Sequence, residues 1–253
     1  VPQWMRDFIG DRDAWIAMME THVSTVAGHF QTLGETVVSW DVVNEAFNDT
    51  GGYRGSSPDD TGSQGSIWYD NIGVDYIELA FRTAREADAD ADLYYNDYNL
   101  LFGGEKFDLA VAMINDFQAR GVPIDGLGFQ AHISLNAPSI TQIRQTLEQA
   151  VNIEPAIKIK ITELDVRVNN TNSSQVFTSE MAEAQKAYIH DVVEAYLDVV
   201  PPAQRGGITV WGIHDGDTWL IDFLGRIEWP LLFLENLEPK PALQGFADAL
   251  EGN

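Results

Sequence analysis

The sequence predicts an α/β fold of parallel strands covered by helices. Three observations point to it. Short apolar, β-branched segments alternate with longer helical patterns along the whole chain. Each strand is followed by a connection long enough for a crossover helix, which parallel pairing needs and a hairpin does not. No linker or low-complexity tract interrupts the 253 residues, so a single domain is expected.

The elements follow in order. A helix is expected from Asp11 to about Phe30, with Asp11 or Asp13 as its cap. Thr36–Trp40, continuing to Glu45, reads as the first strand, and Asn48–Gly65 as a polar Gly/Ser/Asp loop. A helix over Tyr69–Ala87 precedes a strand over Leu93–Tyr98 and a helix over Gly104–Arg120. Ile124–Ile133 reads as one strand and Ile140–Ala150 as a helix. Ala156–Val166 is a strong strand, its isoleucines alternating with Lys158 and Lys160. After a polar loop at Asn169–Gln175 come a helix over Ser179–Val200, a strand over Gly207–Ile213 and an aromatic loop. Pro241 suits the first turn of a last helix, Pro241–Leu250. Five strands are expected.

Composition removes several function classes. The chain has 39 acids against 15 bases, a formal charge of −24. A nucleic-acid groove or a contact with an anionic membrane needs positive potential, so neither is expected. The excess carboxylates serve solubility or focus cations in a cleft, and a neutral substrate is compatible with both. Without cysteine there is no disulfide, zinc thiolate or cysteine nucleophile. No apolar run approaches the 18 residues of a membrane span. No signal-peptide pattern opens the chain, as expected of a processed one.

Polar residues gather at the end of every strand: Trp40–Glu45, Tyr95–Asn99, Phe129–His132, Thr162–Asp165 and Trp211–Asp215. In parallel βα folds these ends share one face, where active sites form. Glu45 and Glu163 are the sharpest pair, because cleaving a glycosidic bond takes one acid for the leaving oxygen and a second carboxylate to attack or to activate water. Read alone, the alternative for each is a solvated strand-end acid, and the pairing at two strand ends favours the catalytic reading. Asn44 is suited to a sugar hydroxyl, and Asn96 to the substrate or to holding Glu45. Gln130 and His132, two apart, point the same way from a strand. Asp165, on the face of Glu163, is suited to a hydrogen bond with His132. Trp211 and Trp219 bracket a polar loop with His214, Asp215 and Asp217, and offer indole faces to pyranose rings; the bland alternative is core packing. Arg226 either reaches the cleft or pairs with a surface acid.

At these residues the chain resembles glycoside hydrolase family 10, the retaining endo-β-1,4-xylanases. The matching segments are Trp40–Asn48, Leu93–Asn99, Gly126–His132, Ile161–Asp165 and Trp211–Trp219, and Pro239–Lys240–Pro241 resembles the family's closing stretch. The resemblance implies a TIM (β/α)8 barrel, with Glu45 as acid/base and Glu163 as nucleophile. It implies that Asn44, Gln130 and His132 support the sugar subsite next to cleavage, with Asn96 near the acid/base. Trp211 and Trp219 look like substrate-facing indoles, and Asp165, His214 and Arg226 like supporting residues. Xylan or a xylo-oligosaccharide is the implied partner, with no metal and no cofactor, and a polymeric substrate implies a secreted, extracellular or periplasmic enzyme. Val1–Trp4 resembles the segment just after the family's third strand. On that reading the chain holds only strands four to eight, the C-terminal portion of one catalytic domain, and a complementary N-terminal segment is expected as a partner. Thr50–Gly65 looks longer than the family's connection and is expected to alter the leaving-group side.

Three rivals differ in substrate or in chemistry. Another retaining β-glycanase, of cellulase or mannanase type, would keep both Glu residues. A metal-dependent isomerase would use Glu163, Asp165, His132 and Asp215 as oxygen-rich ligands. A non-catalytic carbohydrate-binding barrel would keep the tryptophans and have no need of Glu45 and Glu163.

Overall fold

A computed structural model describes residues 1–33, 37–55 and 65–252. They group into two units, Val1–Asp97 with Gly104–Gly128, and Tyr98–Gly103 with Phe129–Asn253.

The first unit contains helices α1 (Gln3–Arg6) and α2 (Arg12–Gln31), strand β1 (Ser39–Asn44), and helices α3 (Ile67–Ile72) and α4 (Asp75–Ala87). Strand β2 (Asp92–Asp97), helix α5 (Glu105–Ala119) and the first three residues of strand β3 (Gly126–Phe129) complete it. Of the two candidate caps for α2, Asp11 serves, its Oδ1 accepting from the Ala14 amide at 2.9 Å. The amphipathic face of α4 places Tyr76, Ile77, Ala80, Phe81 and Ala84 in the core. β1 runs parallel to β2 with Asn44 opposite Asn96, after a register shift between Asp41 and Val43. β2 is buried from Leu93 to Asp97, so its final acid lies inside the unit. Gly126 is required where β3 passes Tyr94, because a Cβ there would lie 2.2 Å from the Tyr94 ring.

The second unit contains β4 (His132–Ser134), α6 (Ile140–Val151), β5 (Lys158–Arg167), α7 (Ser179–Val199), β6 (Arg205–Val210), α8 (Trp219–Leu224) and α9 (Pro241–Glu251). β5 is parallel to β4 on one side and to β6 on the other. It is buried without interruption from Ile161 to Val166, on both faces, as a central parallel strand is. Glu163 and Asp165 therefore sit inside a core strand. Ser139 and Gln142 form a capping box that starts α6. α7 and α9 pack closely at Gly245, where a Cβ would lie 2.3 Å from the Lys186 carbonyl oxygen.

The expectation of five strands is corrected to six among the described residues. Ile124–Ile133 is not one strand. It parts at Gln130–Ala131 because Ala131 adopts a φ of 63°, outside the β region, and the ladder cannot continue through it. The expected fold, a TIM (β/α)8 barrel represented only by strands four to eight, is corrected with it. The described residues form six strands and nine α-helices in an α/β arrangement, not a barrel piece lacking its first three strands. Of the expected long loop Thr50–Gly65, residues 56–64 lie outside the described residues, as does Thr36 at the expected start of the first strand.

Candidate active site

In the first unit the polar residues collect where β1 and β2 end together. Asn44 and Asn96 are register partners, and Asn96 Nδ2 donates to Asn44 Oδ1 at 2.9 Å. Asn44 Nδ2 donates in turn to Glu45 Oε1 at 3.2 Å. The Glu45 amide donates to the Asn96 carbonyl at 2.9 Å, which extends the ladder by one bond past the strand. There the chain turns, with Glu45 at a φ of 57°. Its carboxylate is half-buried and meets a residue that the sequence reading missed: Arg54 Nη1 lies 2.8 Å from Glu45 Oε2. Arg54 arrives there because Gly51 and Gly52, at φ 87° and 85°, fold the segment back. Phe47 and Tyr53 bridge antiparallel, and the Arg54 amide donates to the Ala46 carbonyl at 2.8 Å. The Gly-Gly pair six residues after Glu45 was the available signal for that return.

Behind Glu45 lies a second group the sequence reading left without a role. Asp97 is fully buried and bonded by Lys106 Nζ at 2.8 Å and by the Tyr95 hydroxyl. Burial pushes the Asp97 carboxyl up to about 6, against the pull of the Lys106 charge. Burial, with Asp97 beside it, also drives the Tyr95 hydroxyl well above the ordinary tyrosine range.

In the second unit the site is built on β4 and β5. His132 stands opposite Asp165 in the register, and the amide of Glu163 donates to the Gln130 carbonyl at 3.0 Å. His132 is gripped by two carboxylates. Its Nδ1 lies 2.8 Å from Asp165 Oδ2 and its Nε2 3.2 Å from Glu163 Oε2. Burial alone would lower the pKa of this imidazole; the hydrogen bonds to Asp165 and Glu163 outweigh it and raise the ring to about 9. At neutral pH His132 is therefore an imidazolium, and both ring nitrogens donate. Asp165, fully buried, receives a second donor at the same oxygen, the Trp219 indole N–H at 2.9 Å. The Trp219 ring stands 5.0 Å from the His132 ring, centroid to centroid, and the exposed Trp211 stands 6.4 Å from it. Gln130, Glu163, His132, Asp165, Trp211 and Trp219 are thus neighbours.

His214 and Arg226 are engaged elsewhere. His214 Nε2 pairs with Asp217 Oδ2 at 2.9 Å. Arg226 takes the pairing alternative, with Nη1 donating to the Asn170 carbonyl at 2.9 Å and Nη2 3.5 Å from Glu228 Oε1. That acid is buried rather than at the surface. Asp215, offered as a metal ligand by the isomerase rival, instead faces Lys240 Nζ at 3.0 Å inside the unit.

Comparison with known proteins adds an independent line. The sequence profile described as Glycosyl hydrolase family 10 matches residues 1–249. The chain is 47% identical over 247 residues to endo-1,4-beta-xylanase A of Cellvibrio japonicus, covering 91% of this chain and 39% of that protein. It is 45% identical over 268 residues to endo-beta-1,4-xylanase Xyn10C of the same organism, covering 100% of this chain and 43% of the relative. The solved native xylanase10C from Cellvibrio japonicus superposes with a TM-score of 0.92 at 43% identity, over 100% of this chain and 54% of that one. A mutant of that xylanase, solved in complex with xylopentaose, also gives 0.92. The chain spans about half the length of these relatives or less. The profile match spans residues 1–249, and the reading of the chain as the C-terminal portion of a family domain is corrected on that match. The complementary segment inferred from that reading is not retained.

Proposed function

The chain belongs to glycosyl hydrolase family 10, and from that premise we propose that it hydrolyses internal β-1,4-xylosidic bonds of xylan with net retention of anomeric configuration. Glu163 is the nucleophile and Glu45 the acid/base. In the first step a Glu163 oxygen attacks the anomeric carbon, the bond to the leaving oxygen breaks, and Glu45 gives that oxygen its proton. In the second, Glu45 takes a proton from water, whose oxygen displaces the Glu163 ester.

The observation that carries the nucleophile assignment is the placement of His132 between Glu163 and Asp165, within hydrogen-bond distance of both. The hydrogen bond from His132 Nε2 to Glu163 Oε2 fixes the carboxylate's orientation for attack on the anomeric carbon. Asn44 and Arg54 on the two oxygens of Glu45 support its orientation. Trp211 and Trp219 are the sugar-facing surfaces of this reading, with Gln130 and Asn96 in polar support. An intact polymer does not enter a cell, so the proposal includes an extracellular or periplasmic site of action.

Proton NMR of xylohexaose hydrolysis tests the reaction. The β-anomer is expected first, followed by slow mutarotation; an initial α-anomer would contradict retention, and no hydrolysis would contradict the activity. Glu163→Gln is expected to lower kcat by at least about 10⁴-fold.

A further inference from the structure

The steps above leave the buried group behind Glu45 without a part in the reaction. Tyr95 and Asp97 lie two apart on β2, so their side chains leave the same face of the strand. The Tyr95 hydroxyl donates to Asp97 Oδ2 and accepts from the Ala46 amide at 3.1 Å. Lys106 Nζ holds Asp97 Oδ1 at 2.8 Å and reaches Asp49 Oδ1 at 3.2 Å. The Ala46 peptide is therefore fixed on both sides, through its N–H by Tyr95 and through its carbonyl by the Arg54 amide. The residue just before it is Glu45, in a left-handed conformation that a residue with a Cβ keeps only where its surroundings impose it.

We propose that Tyr95 and Asp97 are positioning residues for Glu45, fixing through the Ala46 amide the backbone that aims the acid/base carboxylate. The inference rests on the acid/base reading of Glu45. Asp97 orients the hydroxyl by accepting its proton, and Lys106 keeps Asp97 in place. The hydroxyl then has a lone pair for Ala46 and nowhere else to turn. Loss of this hold lets the peptide after Glu45 relax, and a proton donor displaced by a fraction of an ångström serves poorly.

Leaving-group dependence separates aiming from mere stability. The full chain, Tyr95→Phe, Asp97→Asn and Glu45→Gln are compared on 2,4-dinitrophenyl β-xylobioside, whose leaving group needs no proton, and on xylopentaose, whose leaving sugar does. Tyr95→Phe is expected to lower kcat/KM on xylopentaose about tenfold, chiefly through kcat, and to stay within about twofold on the aryl substrate. Asp97→Asn is expected to show the same split, and the aryl activity reads the folded fraction of either variant. An equal change on both substrates, or none, in whichever variant folds would overturn the proposal. Glu45→Gln distinguishes the two failures. If it shows the split and the positioning variants do not, only the inference falls. If it shows no split, or the wild type cleaves neither substrate, the acid/base reading falls and the inference with it.

Discussion

A histidine held between two carboxylates keeps a charge that a histidine in water sheds near neutral pH. His132 is raised to about 9 although burial works against it, because Asp165 and Glu163 both bond the charged ring. A folded-state pKa above the unfolded value gives stability that is complete below about 6.5 and lost as the pH rises through about 9. Urea unfolding should therefore find the wild type about 2–3 kcal/mol more stable than His132→Gln at pH 6, with the difference shrinking by pH 10. A difference that does not vary with pH would contradict the imidazolium. Side chains of this kind were legible in the sequence because they stand on strands: His132, Glu163 and Asp165 fall at alternating positions of apolar runs, where period two aims them together. Arg54 was not legible. It reaches Glu45 through a turn at Gly51 and Gly52, and nothing in the spacing of an arginine nine residues on shows that the chain doubles back.

The strands and helices show where sequence patterns carry information and where tertiary context overrides them. The alternating isoleucines of Ala156–Val166 give β5, observed at Lys158–Arg167, and the expected helix Ile140–Ala150 is α6 with its cap at Ser139. The third expected strand parts in two because Ala131 adopts a φ of 63°, a backbone angle that the apolar pattern on either side of it does not signal. That break lets the Gln130 and Ala131 carbonyls accept from the Glu163 and Asp165 amides. The loop after β6 depends on charge instead of pattern. Burial pulls Lys240 down to about 8, yet its Nζ still bonds Asp215 and the carbonyls of Trp229 and Leu231. Asp215 Oδ1 accepts from the Leu231 amide at 2.8 Å. Lys240→Met should cost about 3–5 kcal/mol by leaving Asp215 buried without its cation, and adding Asp215→Leu should recover part of that. Equal stability of wild type and Lys240→Met in thermal unfolding would show that the pair does not hold this loop.

At the scale of the molecule, a charge of −24 disfavours a polyanion as partner and is compatible with the neutral polysaccharide proposed as substrate. Four of the carboxylates are paired with a basic side chain near the strand ends: Glu45 with Arg54, Asp97 with Lys106, and Glu163 and Asp165 with His132. The family was legible from strand-end motifs alone. The expectation of a truncated barrel, drawn from a count of five strands and from the likeness of Val1–Trp4 to the segment after the family's third strand, is not met: one expected strand is two, and the family profile matches residues 1–249. The proposed mechanism requires Glu163 to form a covalent bond to the sugar. Incubation with an activated 2-deoxy-2-fluoro-xylobioside, which forms the ester readily and releases it slowly, followed by mass spectrometry of the digested protein, reads this directly. One added glycosyl group is expected, on the peptide carrying Glu163 and absent from Glu163→Gln. A label on another residue, or turnover of the reagent with no covalent adduct at all, would contradict it.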